Sequence, residues 1–384
     1  MTKKTTRRTQ STEKSEILYL AFELSSSTWK LGFSIGLGQR VRERNLMFGE
    51  LEKLEAEIGA AKKRFGLDET ACVRSCYEAG RDGFWLHRFL TSRGIENLIV
   101  DSSSIEVDRR ARRAKSDRLD VQKLVSMLIR YHGGERKVWS VVRVPSVEEE
   151  DRRQLHRELK GLKKERTRGI NRIRGLLANH GVRVKWGRDA SGRWMESVRL
   201  WDGRRLPAGL QGRLQREWQH LQYLGAEIRA VEATRRKERR EAREQKREDI
   251  EKVERLMQLR AVGLNGAWIL VEELFGWRKF DNRRQVGALV GLTPTPYQSG
   301  STSREQGISK AGNRHVRGVV VELAWAWLRY QPRSKLARWF QRRFGNGNGR
   351  VRRIGIVALA RRLLIDFWRY LEFGVLPEGA RLRG

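Results

Sequence analysis

Two groups of residues in this sequence are of types that act on phosphate esters. The first is the hydroxyl-rich stretch 291–317, where Ser299, Ser301, Thr302, Ser303 and Ser309 lead into the cations Lys310, Arg314 and Arg317. A serine held beside cations and the free N–H groups of a helix start can bind a phosphate or attack one. The second is a set of carboxylates in the first third of the chain, Glu23, Glu78, Asp117 and Asp120. Converging carboxylates repel one another unless they hold divalent cations. Mg²⁺ held in this way activates a nucleophile and stabilises the leaving oxygen of a phosphodiester. Asp101 and Asp108 are rival members of the set, and spacing alone does not choose among them.

Charge indicates which phosphate esters are meant. The 384 residues carry 81 Lys+Arg against 46 Asp+Glu, a net +35, which is the electrostatic footprint of a nucleic-acid-binding protein. Residues 1–14 are polar and basic, without the apolar segment of a secretory signal, and no apolar run approaches a membrane span. Cys72 and Cys76 share one short apolar stretch and read as buried, reduced thiols rather than a zinc set. The expectation is a prokaryotic cytoplasmic protein, associated with the nucleoid and not with membrane.

The elements that must position these residues follow from periodicity. Residues 17–23 form an apolar run ending in Glu23, 29–36 alternate as a second strand, and 40–48 provide a third. A helix over 50–65 precedes a strand over 71–77 that ends at Glu78, followed by a helix over 82–91 and a strand over 96–100. After the basic connection 109–115, Ser116 caps a helix running to Tyr131, with Asp117 and Asp120 three residues apart on one face of its first turn. Carboxylates thus fall at the ends of the first and fourth strands and twice on the closing helix. That arrangement resembles the ribonuclease-H-like fold of junction-resolving nucleases.

Beyond a linker over 133–147, residues 148–180 read as one long helix. Leu155, Leu159, Leu162, Ile173 and Leu177 make its seam, while Arg168, Arg172 and Arg174 belong to a cationic surface suited to a nucleic-acid track. A second long helix is expected over 210–260. Leu214, Leu221, Leu224, Ile228 and Val231 give it a coiled-coil seam, and 232–249 is nearly all charged, a lone helix or an arm that orders in an assembly. Residues 259–266 resemble a helix-hairpin-helix turn. The stretch 291–307 reads as a loop, and Ser309 as the N-cap of a helix through Val316, Val320, Leu323, Ala324 and Trp327. Trp325, Trp327, Trp339, Phe340, Trp368 and Tyr370 read mostly as packing residues, with some available to stack on bases. The expected architecture is a basic tail (1–14), an α/β ribonuclease-H-like domain (15–135), a linker with long helices and coiled coil (136–260), and a mostly α C-terminal domain carrying the serine (261–384).

Two segments resemble a known family. Lys115-Ser-Asp-Arg-Leu-Asp120 is similar to the Lys-Thr-Asp-Arg-Ile-Asp signature of the insertion-sequence-110 transposases. Gly291-Leu-Thr-Pro-Thr-Pro-Tyr-Gln-Ser-Gly300, followed by Gly307-Ile-Ser-Lys-Ala-Gly-Asn-Arg314, looks like that family's C-terminal signature. The resemblance implies an N-terminal tetrad at Glu23, Glu78, Asp117 and Asp120 that binds Mg²⁺, and a catalytic serine at Ser299. It implies recombination between donor and target DNA, guided by a structured RNA. A homo-oligomer, dimer or tetramer, is also implied, its coiled coil pairing subunits so that the carboxylates of one meet the serine of another. The family's first carboxylate is Asp, and this chain carries Glu23, one methylene longer. Two other readings fit the same residues: a metal-dependent junction nuclease in which Ser299 only binds phosphate, and a non-catalytic basic RNA- or DNA-binding scaffold.

Overall fold

The computed structural model describes residues 17–80, 83–105, 117–183, 194–299 and 302–383; for 103, 117–118, 296–299 and 302–306 it describes the backbone alone. The chain divides into two compact units, Met1–Pro145 and Ser146–Gly384.

The first unit is built on a five-stranded mixed sheet. Its strands are β1 (Ile17–Leu24), β2 (Thr28–Ser34), β3 (Arg42–Met47), β4 (Cys72–Glu78) and β5 (Glu96–Val100), in the spatial order β3-β2-β1-β4-β5. β1 lies antiparallel to β2 and parallel to β4, and β4 is parallel to β5. Leu18 to Phe22 are all buried, so β1 is covered on both faces, which is why it reads as an unbroken apolar run. On one face Leu18, Leu20 and Phe22 pack with Leu54 and Ile58 of α1 (Leu51–Phe65) and Leu86 and Leu90 of α2 (Trp85–Ser92). On the other, Tyr19, Ala21, Cys76 and Val100 meet Leu124, Val125 and Leu128 of α3 (Asp117–His132). Close approach of α3 depends on Gly32 of β2, where a Cβ would sit 2.6 Å from Val121. Cys76 is buried as expected, and burial pushes its thiol pKa up, whereas Cys72 is exposed at the start of β4.

The second unit is mostly helical and departs from the expected long helices. In place of one helix over 148–180 there are two, α4 (Val147–Asp151) and α5 (Gln154–Ala178). Ser146 and Glu149 form a reciprocal capping box that starts α4. After the short α6 (Trp194–Ser197), the expected second helix also divides, into α7 (Ala208–Glu244) and α8 (Glu248–Gln258), at a corner where Lys246 has φ 52°. The Leu214–Val231 seam is filled by α5 of the same chain, through Leu159, Ile173 and Leu177 in an antiparallel hairpin. It is therefore not left open for a partner subunit. Nor does the charged stretch after Val231 stand alone: Arg235 and Ala242 are buried, and Arg239 donates to Glu254 of α8 at 2.7 Å.

The remaining elements are α9 (Leu264–Leu270), a π-helical turn over Val271–Phe275, α10 (Arg283–Leu289), strands β6 (Pro294–Ser299) and β7 (Thr302–Ile308), and helices α11 (Arg314–Tyr330), α12 (Lys335–Phe344) and α13 (Gly349–Phe373). The helices share one large core, against which Ile308 of β7 also packs. Trp268, Phe275, Trp327, Phe340 and Phe367 are fully buried there, together with most of Trp368 and Tyr370. Trp325 is exposed. The turn that resembles a helix-hairpin-helix element is paired with the chain's end: the Arg260 N–H donates to the Arg381 carbonyl at 3.1 Å, and Arg383 N–H to Gln258 at 2.7 Å. Among the described residues no helix is long and apolar enough to cross a membrane.

Candidate active site

The sheet brings the N-terminal carboxylates to one edge. Phe22 of β1 is in register with Tyr77 of the parallel β4, so the next residues, Glu23 and Glu78, stand side by side at the strands' C-terminal ends. Alternation along each strand puts both on the face covered by α3, the face of Tyr19, Ala21 and Cys76. α3 runs antiparallel to these strands. Its last residue, His132, lies 6.2 Å from the Tyr19 ring, and the Leu124 carbonyl accepts from Cys76 Sγ at 3.8 Å. One helical turn back from Leu124, about 6 Å, is Asp120; two residues on from Cys76, about 6.6 Å, is Glu78. The start of α3 therefore approaches the strand ends that carry Glu23 and Glu78. Asp117 is the first residue of α3, its side chain outside the described set. Asp101 follows Val100, which pairs with Glu78, so alternation turns it away from the α3 face. Asp108 lies outside the described residues.

The donor set suits Mg²⁺, a hard cation that takes carboxylate oxygens and keeps several waters. Glu78 is exposed, and Glu23 and Asp120 are partly so, leaving room for those waters. Glu23, Glu78 and Asp120 do not have oxygens all within 4.8 Å of one another; among the described residues only His156, Glu273 and His315 meet that distance.

The serine-rich stretch is not a loop throughout. β6 and β7 form an antiparallel hairpin in which Ser299, the last residue of β6, pairs with Thr302, while Gly300 and Ser301 lie outside the described residues. Ser303 pairs with Gln298. Below the hairpin, two glycine-bearing segments interlock. Gly291 (φ 66°) and Gly312 (φ 79°) each have a neighbouring carbonyl where a Cβ would go, Ala311 O at 2.0 Å and Leu289 O at 2.1 Å. Backbone bonds close the lock: Lys310 N–H to Gly291 O at 3.1 Å, Asn313 N–H to Leu289 O at 2.9 Å, and Ser309 N–H to Thr293 O at 2.9 Å. Ser309 is thus part of this ladder and not a cap. The N-cap of α11 is Asn313, whose side chain accepts from the His315 and Val316 amides. Helix formation waits for Asn313 because Gly312 is left-handed and Lys310 too has a positive φ, 56°.

Asn313 also reaches a buried hub that the sequence did not reveal. Its Nδ2 donates to Glu273 Oε2 at 3.0 Å. Arg157 donates to both Glu273 oxygens, at 2.8 and 3.0 Å, and His156 Nε2 lies 2.8 Å from Oε1. Burial opposes the Glu273 charge, but the hydrogen bonds from His156 and Arg157 outweigh it and hold the carboxyl far below its ordinary range. His315, its ring 5.9 Å from that of His156, is half-buried; desolvation, and then the charge of Lys160, lower its pKa to about 4. Although His156, Glu273 and His315 are close enough to suggest a metal, both Glu273 oxygens are already taken by N–H donors and Arg157 supplies the countercharge. The cluster is a hydrogen-bonded clamp joining α5, the π-helical turn and the start of α11.

The comparisons with known proteins cover both sets of residues. Residues 253–337 match the model of the transposase IS116/IS110/IS902 family. A Sinorhizobium fredii protein named "Putative transposase y4rJ" is 40% identical over 378 residues, 95% of this chain and 94% of the relative. The chain belongs to the IS116/IS110/IS902 family of transposases. A second S. fredii protein, "Putative transposase y4qE", is 29% identical over 79% of this chain and 71% of its own length. The Yersinia enterocolitica "Transposase for insertion sequence element IS1328" is 28% identical over 48% of this chain and 53% of its own length.

In this transposase chain the matched segment 253–337 holds the hairpin, the glycine lock, Glu273 and Asn313. Of the cations expected to face phosphate, Lys310 and Arg314 are exposed beside the start of α11. Arg317 is partly buried and donates to the carbonyls of Val290 at 2.9 Å and Lys310 at 3.0 Å, tying the interlocked segments together. On α5, Arg168, Arg172 and Arg174 are all exposed, and Arg172 donates to both oxygens of Glu217 on α7, at 2.9 and 2.8 Å. The one sequence signal for the hub was the pair Glu272-Glu273 inside the apolar run Trp268–Phe275. Two adjacent acids there must both be buried if the helix is covered all round.

Proposed function

We propose that this transposase is an RNA-guided DNA recombinase of a mobile element, working at the nucleoid as a homo-oligomer on donor and target DNA. Its nucleophile is Ser299 and its carboxylate site, of ribonuclease-H-like type, is Glu23, Glu78, Asp117 and Asp120. The observation that supports this reading best is the gathering of Glu23, Glu78 and the first turn of α3 at one sheet edge. In the reaction the Ser299 hydroxyl attacks a phosphorus atom, a Ser–O–P bond forms, and the bond to one DNA oxygen breaks. The serine proton leaves to a base and the departing oxygen takes one up. Because the protein–DNA ester keeps the energy of the broken bond, the strands can be exchanged and rejoined without ATP. Lys310 and Arg314, exposed beside the α11 start, offset charge on the pentavalent phosphorus. When bound at the four carboxylates, Mg²⁺ supplies Lewis-acid stabilisation of phosphoryl oxygens. The longer Glu23 sets its oxygens about one bond length further from the strand than Asp would. Arg168 and Arg174, on the solvent side of the α5–α7 hairpin, track the guide RNA backbone.

The test is cleavage of a branched DNA substrate in Mg²⁺ by Asp117→Ala and Asp120→Ala, with RNA affinity measured alongside. Loss of cleavage with RNA binding retained is expected. Wild-type cleavage by both variants would make the two aspartates ordinary helix-start residues.

A further inference from the structure

A concave surface that includes none of the proposed reacting residues carries its own signature. Two adjoining cavities, of about 550 and 500 Å³, share Arg283, Arg369 and Val375 and lie between the start of α10, the second half of α13 and the chain after it. The larger is lined by six cations, Arg283, Arg284, Lys335, Arg361, Arg362 and Arg369, against two acids, Asp366 and Glu378. Glu378 is already paired with Lys335 at 2.5 Å. The smaller adds Trp368 and Phe373. Phe373 is 64% exposed and meets the Trp368 ring edge-on, centroids 5.4 Å apart, so one large aromatic face is open to solvent.

Phosphate oxygens would meet the excess of cations. The exposed ring beside them offers a stacking platform, which a base can use only when it is out of a duplex. Each cavity lies within the size range of sites that hold small organic ligands, on the scale of one or two nucleotides.

We propose that this groove binds a single nucleic-acid strand, with phosphates on Arg283, Arg361 and Arg369 and one unstacked base against Phe373. The proposal rests on the reading that the chain handles nucleic acid, but not on Ser299 or the carboxylates. The strand is RNA or DNA, since the groove reads the chemistry common to both.

The test uses the full-length protein and fluorescence anisotropy with a labelled twelve-nucleotide strand of mixed sequence, as RNA, as DNA and as a DNA duplex. Arg283→Ala/Arg369→Ala should weaken single-strand binding and lower the slope of log affinity against log salt by about 1.4, two contacts at ~0.7 each. Phe373→Ala should weaken it roughly tenfold with the slope unchanged, and Phe373→Trp should restore it. The RNA and DNA arms show which strand loses more. Circular dichroism melts identify a variant that has unfolded, in which case Phe373→Leu, which keeps the apolar area, takes the place of Phe373→Ala. Wild-type affinity and slope in the arginine variant would overturn the proposal, as would displacement of the strand by polyglutamate at equal charge concentration. A groove variant that fails to bind yet still forms the serine adduct would leave the recombinase reading standing; the converse would separate the two the other way.

Discussion

Replacing Glu273 by Gln tests the clamp at the base of the signature segments. Glu273 is 3% exposed at its side chain and accepts four N–H bonds from three residues. Glutamine keeps the shape but loses the charge, and its amide NH₂ must face a donor. Breaking a buried ion pair by neutralising one partner costs about 3–5 kcal/mol. The Arg157 side chain is 47% exposed, so solvent screens its share. The fully buried His156 and the Asn313 amide carry the rest, and the expected loss at pH 7 is roughly 3 kcal/mol. For a unit of this size, that lowers Tm by about 6–12 °C. The pH dependence has a definite sign. Glu273 is held below its ordinary value of 4.5, so its contribution is complete above that pH and fades as pH falls below it. Thermal melts of both proteins from pH 3 to 8 should therefore show a gap that is full at pH 6–8 and narrows as pH falls below 4.5. A variant within about 2 °C of wild type at pH 7, or a gap constant down to pH 3, would refute the clamp.

Other consequences follow from the same unit. Glu272, its neighbour on the π-helical turn, has its pKa raised from 4.5 to about 8, first by burial and then by Asp249. The folded protein thus keeps a proton that the unfolded chain releases, and stability declines as pH rises through that interval. Glu272→Gln should match wild type in urea melts at pH 5 and exceed it at pH 9, with ~5 kcal/mol as the upper limit; a variant less stable at pH 9 would contradict the assignment. Gly312→Ala places a methyl 2.1 Å from the Leu289 carbonyl at a φ of 79° and should cost more than about 2 kcal/mol in the same melts. Gly318→Ala, on α11 with nothing within 4 Å, should stabilise by about 0.5–1 kcal/mol; equal effects of the two would remove the physical reason for the glycine lock.

The sheet was legible in the sequence because each strand has a one-dimensional cause. Leu18 to Phe22 form an apolar run, Trp29 to Phe33 alternate, and the order of elements left few topologies. The seams of α5 and α7 were legible too, but not that each fills the other. A heptad-like pattern states that a face is apolar and leaves open whether the partner is another subunit or an earlier helix of the same chain. The hairpin at Pro294–Ile308 was hidden by composition, since two prolines and several hydroxyls suppress strand signals while β6–β7 pairing supplies the order. The cap expected at Ser309 falls at Asn313, and the reason is Gly312, whose left-handed φ goes with close contact to Leu289 rather than with any neighbour in sequence. His156, Glu273 and Asn313 meet from positions more than a hundred residues apart at the extremes, and no periodicity connects them.

The measurement that bears most directly on the central claim is the trapping of a covalent protein–DNA adduct. A nicked suicide substrate is incubated with the protein, guide RNA and Mg²⁺, and the linked peptide is mapped by mass spectrometry. The account predicts a phosphodiester on Ser299, at the end of β6, and no adduct with Ser299→Ala or Asp120→Ala. An adduct on Ser301, Thr302 or Ser303 would move the nucleophile, and undiminished cleavage by Ser299→Ala with no adduct at all would contradict serine catalysis in favour of hydrolysis.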